Sequence, residues 1–233
     1  MEWFLANSGM VFGLAGQHFV LAVVPMVLGL LISVPLAQLA RGNRGLRTVV
    51  ATGSSLLYTI PSLALFIILP PVLGTRILDP LNVVVALTIY AVALLVRAAM
   101  DAFDSVDEDM RLAATAMGFT PAARFLRIDI PLSLPVLFAG LRVVSVSNIS
   151  LVSVAALLGV GNLGLLFTDG LQRTFITEVV VGIIGILVLA LLMDGVLVLL
   201  ERLLTPWTRA AAKPTAGLSA AAMAETKVHE GAG

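Results

Sequence analysis

No Asp, Glu, Lys or Arg occurs between Glu2 and Arg41. A membrane-spanning helix needs ~20 apolar residues, so this stretch is long enough to cross a bilayer and has no charge with which to face water. Four further runs repeat the pattern. Residues 48–75 and 80–96 are free of charge, as are 143–168, before which apolar sequence from Ile130 is interrupted by Arg142. The last run, 179–200, is broken by Asp194. These runs place spans near 18–40, 48–72, 78–97, 133–158 and 178–200. The first run leaves an N-terminal piece, residues 3–16, that lies at the interface or lines another helix. It lacks the basic n-region of a signal peptide and its apolar part is too long for one. Strands of a membrane β-barrel would be ~9–11 residues of alternating pattern, whereas these runs are longer and continuous. The expected fold is therefore all-α, a polytopic membrane bundle of about five spans.

Composition narrows the function. Hydrophobic residues make up 59% of the chain and charged residues 12%, too few polar groups to cover a soluble surface. With no cysteine and two histidines, thiolate chemistry is excluded and a histidine-rich metal site is not expected. Fourteen Lys+Arg balance 14 Asp+Glu, so no basic nucleic-acid surface is expected. The sequence offers no catalytic residue, cofactor-binding residue or metal ligand. Membrane orientation follows the excess of cations on the cytoplasmic side. With the N-terminus outside and the C-terminus inside, only Arg76 and Arg173 of the 14 Lys+Arg lie outside. Residues 1–205 then form the membrane domain and 206–233 an irregular, disordered cytoplasmic tail.

The segment 101–135 is too long for a turn and not uniformly polar. It opens with Asp101, Asp104, Asp107, Glu108 and Asp109, continues through Arg111, Leu112, Ala113, Ala114 and Met117 to Gly118, then runs from Phe119 to Pro131. Asp107 to Asp109 favour a helix N-terminus, and Gly118 ends that helix. Thr120 and Pro121 supply the cap and first position of a second short helix. Pro131 and Pro135 mark the return to the membrane. Small Ala113, Ala114 and Ala116 permit close approach, and Met117, Phe119 and Phe125 on an exposed face suit a groove on a partner. From these residues alone, a pair of helices resting on the bilayer and a docking element are equally open.

The pattern Ala113-Ala114-x3-Gly118-x9-Ile128-x-Ile130-Pro131 resembles the EAA motif, E-A-A-x3-G-x9-I-x-L-P, of the membrane subunits of binding-protein-dependent ABC importers, with Leu112 at the Glu position. Tyr58-Thr-Ile-Pro61-Ser62 resembles the QTLPSLA stretch of osmoprotectant permeases, the segment from Pro131 to Arg142 their LPLALPVIMAGIR, and Gly159-Val-Gly161-Asn-Leu-Gly164 their GAGGLG. Asp194, with Glu201-Arg202 and Thr205-Pro206, resembles their D-x6-ER-x2-TP ending. The branch most resembled is that of glycine betaine, carnitine and choline. The resemblance implies a type I ABC importer permease in the bacterial inner membrane. It assigns ATPase coupling to Arg111, Leu112, Ala113, Ala114, Met117, Gly118, Phe119, Ile128 and Pro131. It also implies two ATPase subunits carrying ATP and Mg, a second permease copy or paralogue, and a separate extracytoplasmic substrate-binding protein.

The remaining candidates concern the path. No G-x4-G-K-[ST] pattern occurs, so ATP hydrolysis belongs to another polypeptide. Gly159, Gly161 and Gly164 spell G-x-G-x-x-G, but a phosphate cradle needs a strand before it; a packing turn or an outer gate remains. Arg142 and Asp194 must face protein or water: they pair or line the inner mouth of the path, or Arg142 is an anchor reaching the interface and Asp194 a structural hydrogen-bonding group. Ser145, Asn148 and Ser153 share an arc of the fourth span, and Asn148 is the candidate for facing the path. Pro61 is expected to kink the second span, placing Tyr58 and Ser62 beside a gate. His18 is expected at the outer interface. The expected function is a permease for a compatible solute such as glycine betaine, choline, carnitine or proline. The alternatives are a permease for another small solute such as methionine, a secondary transporter or a scaffold.

Overall fold

The computed structural model describes residues 2–211, and every regular element among them is helical. In chain order these are α1 (Glu2–Ala6), α2 (Ser8–Arg41), α3 (Arg44–Thr59), α4 (Ser62–Leu73), α5 (Pro80–Asp104), α6 (Glu108–Ala116), α7 (Pro121–Arg124), α8 (Ile130–Val154), α9 (Leu165–Gln172), α10 (Ile176–Leu204) and α11 (Pro206–Ala211). Four helical stretches are long and apolar enough to cross a membrane: Ser8–Arg41, Pro80–Asp104, Pro121–Leu158 and Ile176–Leu204. The second expected span, 48–72, is a pair, α3 and α4, bent by 100°.

Several sequence expectations change here. Residues 8–16 are not a separate N-terminal piece: α2 runs unbroken to Arg41, and only α1 stands apart. At ~1.5 Å per residue α2 is about 51 Å long, well beyond the ~30 Å hydrocarbon core. His18 lies about 35 Å along it from Arg41, enclosed by other helices rather than left open at a surface. It is fully buried, and its Nε2 meets the Ile149 carbonyl at 2.9 Å. Pro61 makes a break rather than a kink, because Ile60 and Pro61 are both extended. Pro131 and Pro135, expected to mark the return to the membrane, lie within one helical stretch that begins before them. The stretch from Pro121 to Leu158 is continuous because Phe125–Asp129 is π-helical, with Ile130 N–H donating to Phe125 O. The wider turn accommodates the following Pro131, which has no N–H to donate. The expected irregular tail begins instead with α11; residues 212–233 lie outside the described part.

α5 is the centre of the bundle. In its most apolar stretch 56% of residues are buried, against 11% in α10 at the periphery. Small residues allow this central packing. A Cβ on Gly29 of α2 would lie 2.6 Å from the Ala91 Cβ, and one on Gly140 of α8 would lie 2.5 Å from that of Ala98, so both flanking helices approach α5 almost backbone to backbone. Around these contacts Phe66, Leu87, Leu95, Val144 and Val152 fill the main core. A second cluster of Ala37, Ala40, Val96, Ala99 and Phe103 closes the end from which α6 and α7 project.

Candidate functional site

The connection between α5 and α8 folds as its local chemistry dictates. Asp107 caps α6, its carboxylate accepting the Asp109 N–H at 2.9 Å. Gly118 ends the helix at φ +85°. Phe119 N–H returns to the Ala114 carbonyl at 3.2 Å and Gly118 N–H to that of Thr115 at 3.0 Å, the paired bonds of a Schellman end. Thr120 caps α7, its hydroxyl accepting the Ala123 N–H at 3.3 Å.

α6 buries a charge and leaves apolar side chains exposed alongside its acidic first turn. Its buried residues are Arg111, 5% exposed, and Ala114, whereas Leu112 is 60% and Met117 69% exposed. Met110 and Ala113 continue this outward apolar face. Gly118 stands in open space, with nothing within 4 Å of where a Cβ would be. One expectation changes on the inner side. Phe125, expected on an exposed face, is half-buried and packs edge-on against Phe103 at 5.5 Å, on the inward face of the π-helical turn. Phe119 and Ile128 are half-buried, as is Pro131.

What holds Arg111 inside is Asp129, a residue the motif reading treats as variable. Asp129 is fully buried. Arg111 Nε donates to it at 2.8 Å, while Arg41 Nη1 and Arg124 Nε stand at 3.7 and 3.8 Å. Arg111 also reaches Glu108 at 3.1 Å and donates to the Phe103 carbonyl. Arg124 donates to the Thr115 hydroxyl at 3.1 Å. One carboxylate thus ties the end of α2 to α6 and α7, and Arg111 carries the link on to the end of α5. The sequence signal was present: a lone acid set in an otherwise apolar Ile-x-Ile-Pro.

In the apolar region, Arg142 of α8 and Asp194 of α10 form a two-point ion pair at 2.6 and 2.9 Å, both side chains partly exposed. Asn148 does not face an open path. It is buried, and its amide donates to the Ala22 carbonyl at 3.1 Å, which with His18 joins α2 to α8. Ser145 is buried beside it. The glycine turn packs closely. Gly159 adopts a positive φ, a Cβ on Gly161 would collide with the Gln17 amide, and one on Gly164 with the Ser153 carbonyl. Asn162 Oδ1 accepts the Gly164 N–H at 2.7 Å. No strand precedes this turn. At the α3–α4 break, Ser62 is half-buried and Tyr58 meets Tyr90 at 5.8 Å between ring centroids. The Tyr90 hydroxyl donates to the Ile60 carbonyl. Sequence reasoning missed Tyr90, and also Glu178, buried and bound by Arg173 at 2.8 Å. Among the described residues no group of three His, Cys, Asp or Glu is placed to hold a metal ion.

Comparison with known proteins adds an independent line. The family model for the binding-protein-dependent transport system inner membrane component matches residues 18–206. The osmoprotectant import permease protein OsmW of Salmonella typhimurium is 34% identical over 88% of this chain and 97% of its own. The choline transport system permease protein OpuBB of Bacillus subtilis is 28% identical over 88% of this chain and 94% of its own. Among solved structures, an inward-facing form of the MetNI methionine ABC transporter superposes with a TM-score of 0.75 at 20% identity, covering 86% of this chain and 98% of that one. An amino acid ABC transporter with histidines gives 0.70 at 16% identity, covering 85% and 96%. At these identities the structural likeness speaks for the fold.

Proposed function

The chain belongs to the family of binding-protein-dependent transport system inner membrane components, and from that premise we propose that it forms part of the import path for a compatible solute carrying a quaternary ammonium group. It is a permease subunit of an ABC importer, with the fold of type I importer permeases, and it resides in the inner membrane. The family implies an ATPase and a substrate-binding protein as partners. Our reading gives it two ATPase subunits that carry ATP and Mg, and a second permease, either another copy or a paralogue. The N-terminus lies outside and α6 on the cytoplasmic side.

The solute class rests on the relatives, which are named for osmoprotectant and choline transport. The coupling role rests on one observation, the apolar side chains that α6 leaves exposed while it buries a charge. A helix that buries an arginine and exposes Leu112 and Met117 leaves apolar surface for another protein to cover. Through Asp129 that surface is tied to the end of α2, and through Arg111 to the end of α5, so displacing α6 moves spans as a unit. Closure of the ATPases on ATP draws two such helices together and rocks the paired spans from inward- to outward-facing. The Arg142–Asp194 pair, partly exposed in one chain, lies on the face that lines the path.

Uptake tests this reading. Proteoliposomes holding the assembled complex and its binding protein should accumulate labelled glycine betaine or choline only with internal ATP. Accumulation of methionine instead, or ATP-independent exchange, would overturn the solute class or the mechanism respectively.

A further inference from the structure

The two tyrosines of the chain meet at one place, and its depth can be read from the helices. Tyr58 lies about 21 Å along α3 from Arg44, and Tyr90 about 15 Å along α5 from Pro80 and about 21 Å from Asp104, at ~1.5 Å per residue. Tyr90 thus stands near the middle of a helix long enough to cross the ~30 Å apolar layer, and Tyr58, against its ring, shares that level, away from the interfacial belts where membrane tyrosines usually collect.

The two differ in role. Tyr90 is 3% exposed, its ring packed in the main core and its hydroxyl given to the Ile60 carbonyl, which the α3–α4 break leaves outside either helix. Tyr58 is 44% exposed, and its ring stands at 88° to that of Tyr90. Among the described residues its hydroxyl makes no hydrogen bond. A phenol with no partner facing hydrocarbon is costly at this depth, which argues that this ring faces a polar space. The carboxyl end of α3, where the helix dipole gathers negative charge, lies one residue on from Tyr58.

We propose that the Tyr58 ring, buttressed by Tyr90, is a mid-membrane station for the quaternary ammonium group of the solute in transit. This rests on the function proposed above. Such a cation has no N–H to donate, so hydrogen-bond acceptors cannot hold it by direct N–H bonds; an aromatic face attracts it through the ring quadrupole. The attraction is modest at a partly exposed site, which suits a place that must also release its cargo. Tyr90 is a positioning residue: it fixes the ring and the break, and it is itself too buried to meet solute.

The test is uptake of labelled choline by the reconstituted complex carrying changes at Tyr58. Tyr58→Leu should slow uptake about 2- to 30-fold, the range expected for loss of one cation–π contact, and Tyr58→Phe should stay within about twofold of wild type. The discriminating series places mono-, di- and trifluorinated phenylalanine at position 58. Fluorine withdraws density from the ring face with little change in shape, so uptake should fall stepwise at constant membrane level. A flat series with active wild type would overturn the station and leave the proposed function standing. A wild-type complex that moves neither choline nor glycine betaine would overturn both.

Discussion

Replacing Asp129 by Asn removes one negative charge from among Arg41, Arg111 and Arg124 while keeping the side chain's shape. Arg41 and Arg124 retain partial contact with solvent, but Arg111 does not, so the loss falls on Arg111. Breaking a buried ion pair by removing one partner costs about 3–5 kcal/mol. Asn still accepts one hydrogen bond and Arg111 keeps Glu108 and the Phe103 carbonyl, which places the expected cost near the lower end, ~3 kcal/mol. No apolar run is altered, so the spans remain inserted and the cost appears as local opening of α6. The chain has no cysteine, and Ala114, 1% exposed, reports that opening when changed to Cys. Asp129→Asn should accelerate thiol labelling at position 114 about a hundredfold, from ~1.4 kcal/mol per decade, and uptake should fall with it. Replacing the pair together, Arg111→Met with Asp129→Leu, should be milder than either single change. Labelling within about threefold of the parent, or strictly additive effects, would refute the clamp.

Three further outcomes follow from the same geometry. Gly118→Val forces a β-branched residue into a left-handed backbone at a cost of about 1–2 kcal/mol; the protein should reach the membrane normally yet lose uptake, with Gly118→Asn retaining part of it. Neutralising Arg142 or Asp194 singly should lower membrane level and uptake more than neutralising both, measured by quantitative blotting and transport, because a single change leaves a charge unpaired among the spans. Cysteines replacing Asn43 and Asp109 should resist an impermeant reagent added outside, whereas those replacing Thr75 and Arg173 should react, the reverse pattern overturning the orientation.

Features written in neighbouring residues were legible in the sequence; those depending on distant partners were not. The α6–Gly118–α7 turn follows from an acidic cap, a left-handed glycine and a Thr-Pro start. The cost of unpaired charge among apolar spans said that Arg142 and Asp194 must face protein or water, but not that they meet each other. The first charge-free run, by contrast, exceeds the length of any span, and nothing local showed that His18 would be enclosed against the Ile149 carbonyl of α8. A helical wheel grouped Asn148 with Ser145 but not the neighbour they meet, and α2 takes that face. Pro61 signalled a disturbance, yet its size depends on extended backbone at Ile60 and on Tyr90, which binds the Ile60 carbonyl. Asp129 was hidden because its three arginines come from α2, α6 and α7.

The central claim is that the outward face of α6 meets the ATPase and transmits its motion. Met117, 69% exposed at the end of that face, is the place to ask. With Met117→Cys as the only thiol in the permease, a short bifunctional reagent should join position 117 to an ATPase subunit in the assembled complex. The yield should change when ATP is bound, and Asp129→Asn should reduce that change. Efficient labelling of position 117 by a lipid-phase probe, with no crosslink to the ATPase in any nucleotide state, would place α6 on the bilayer surface and contradict the account.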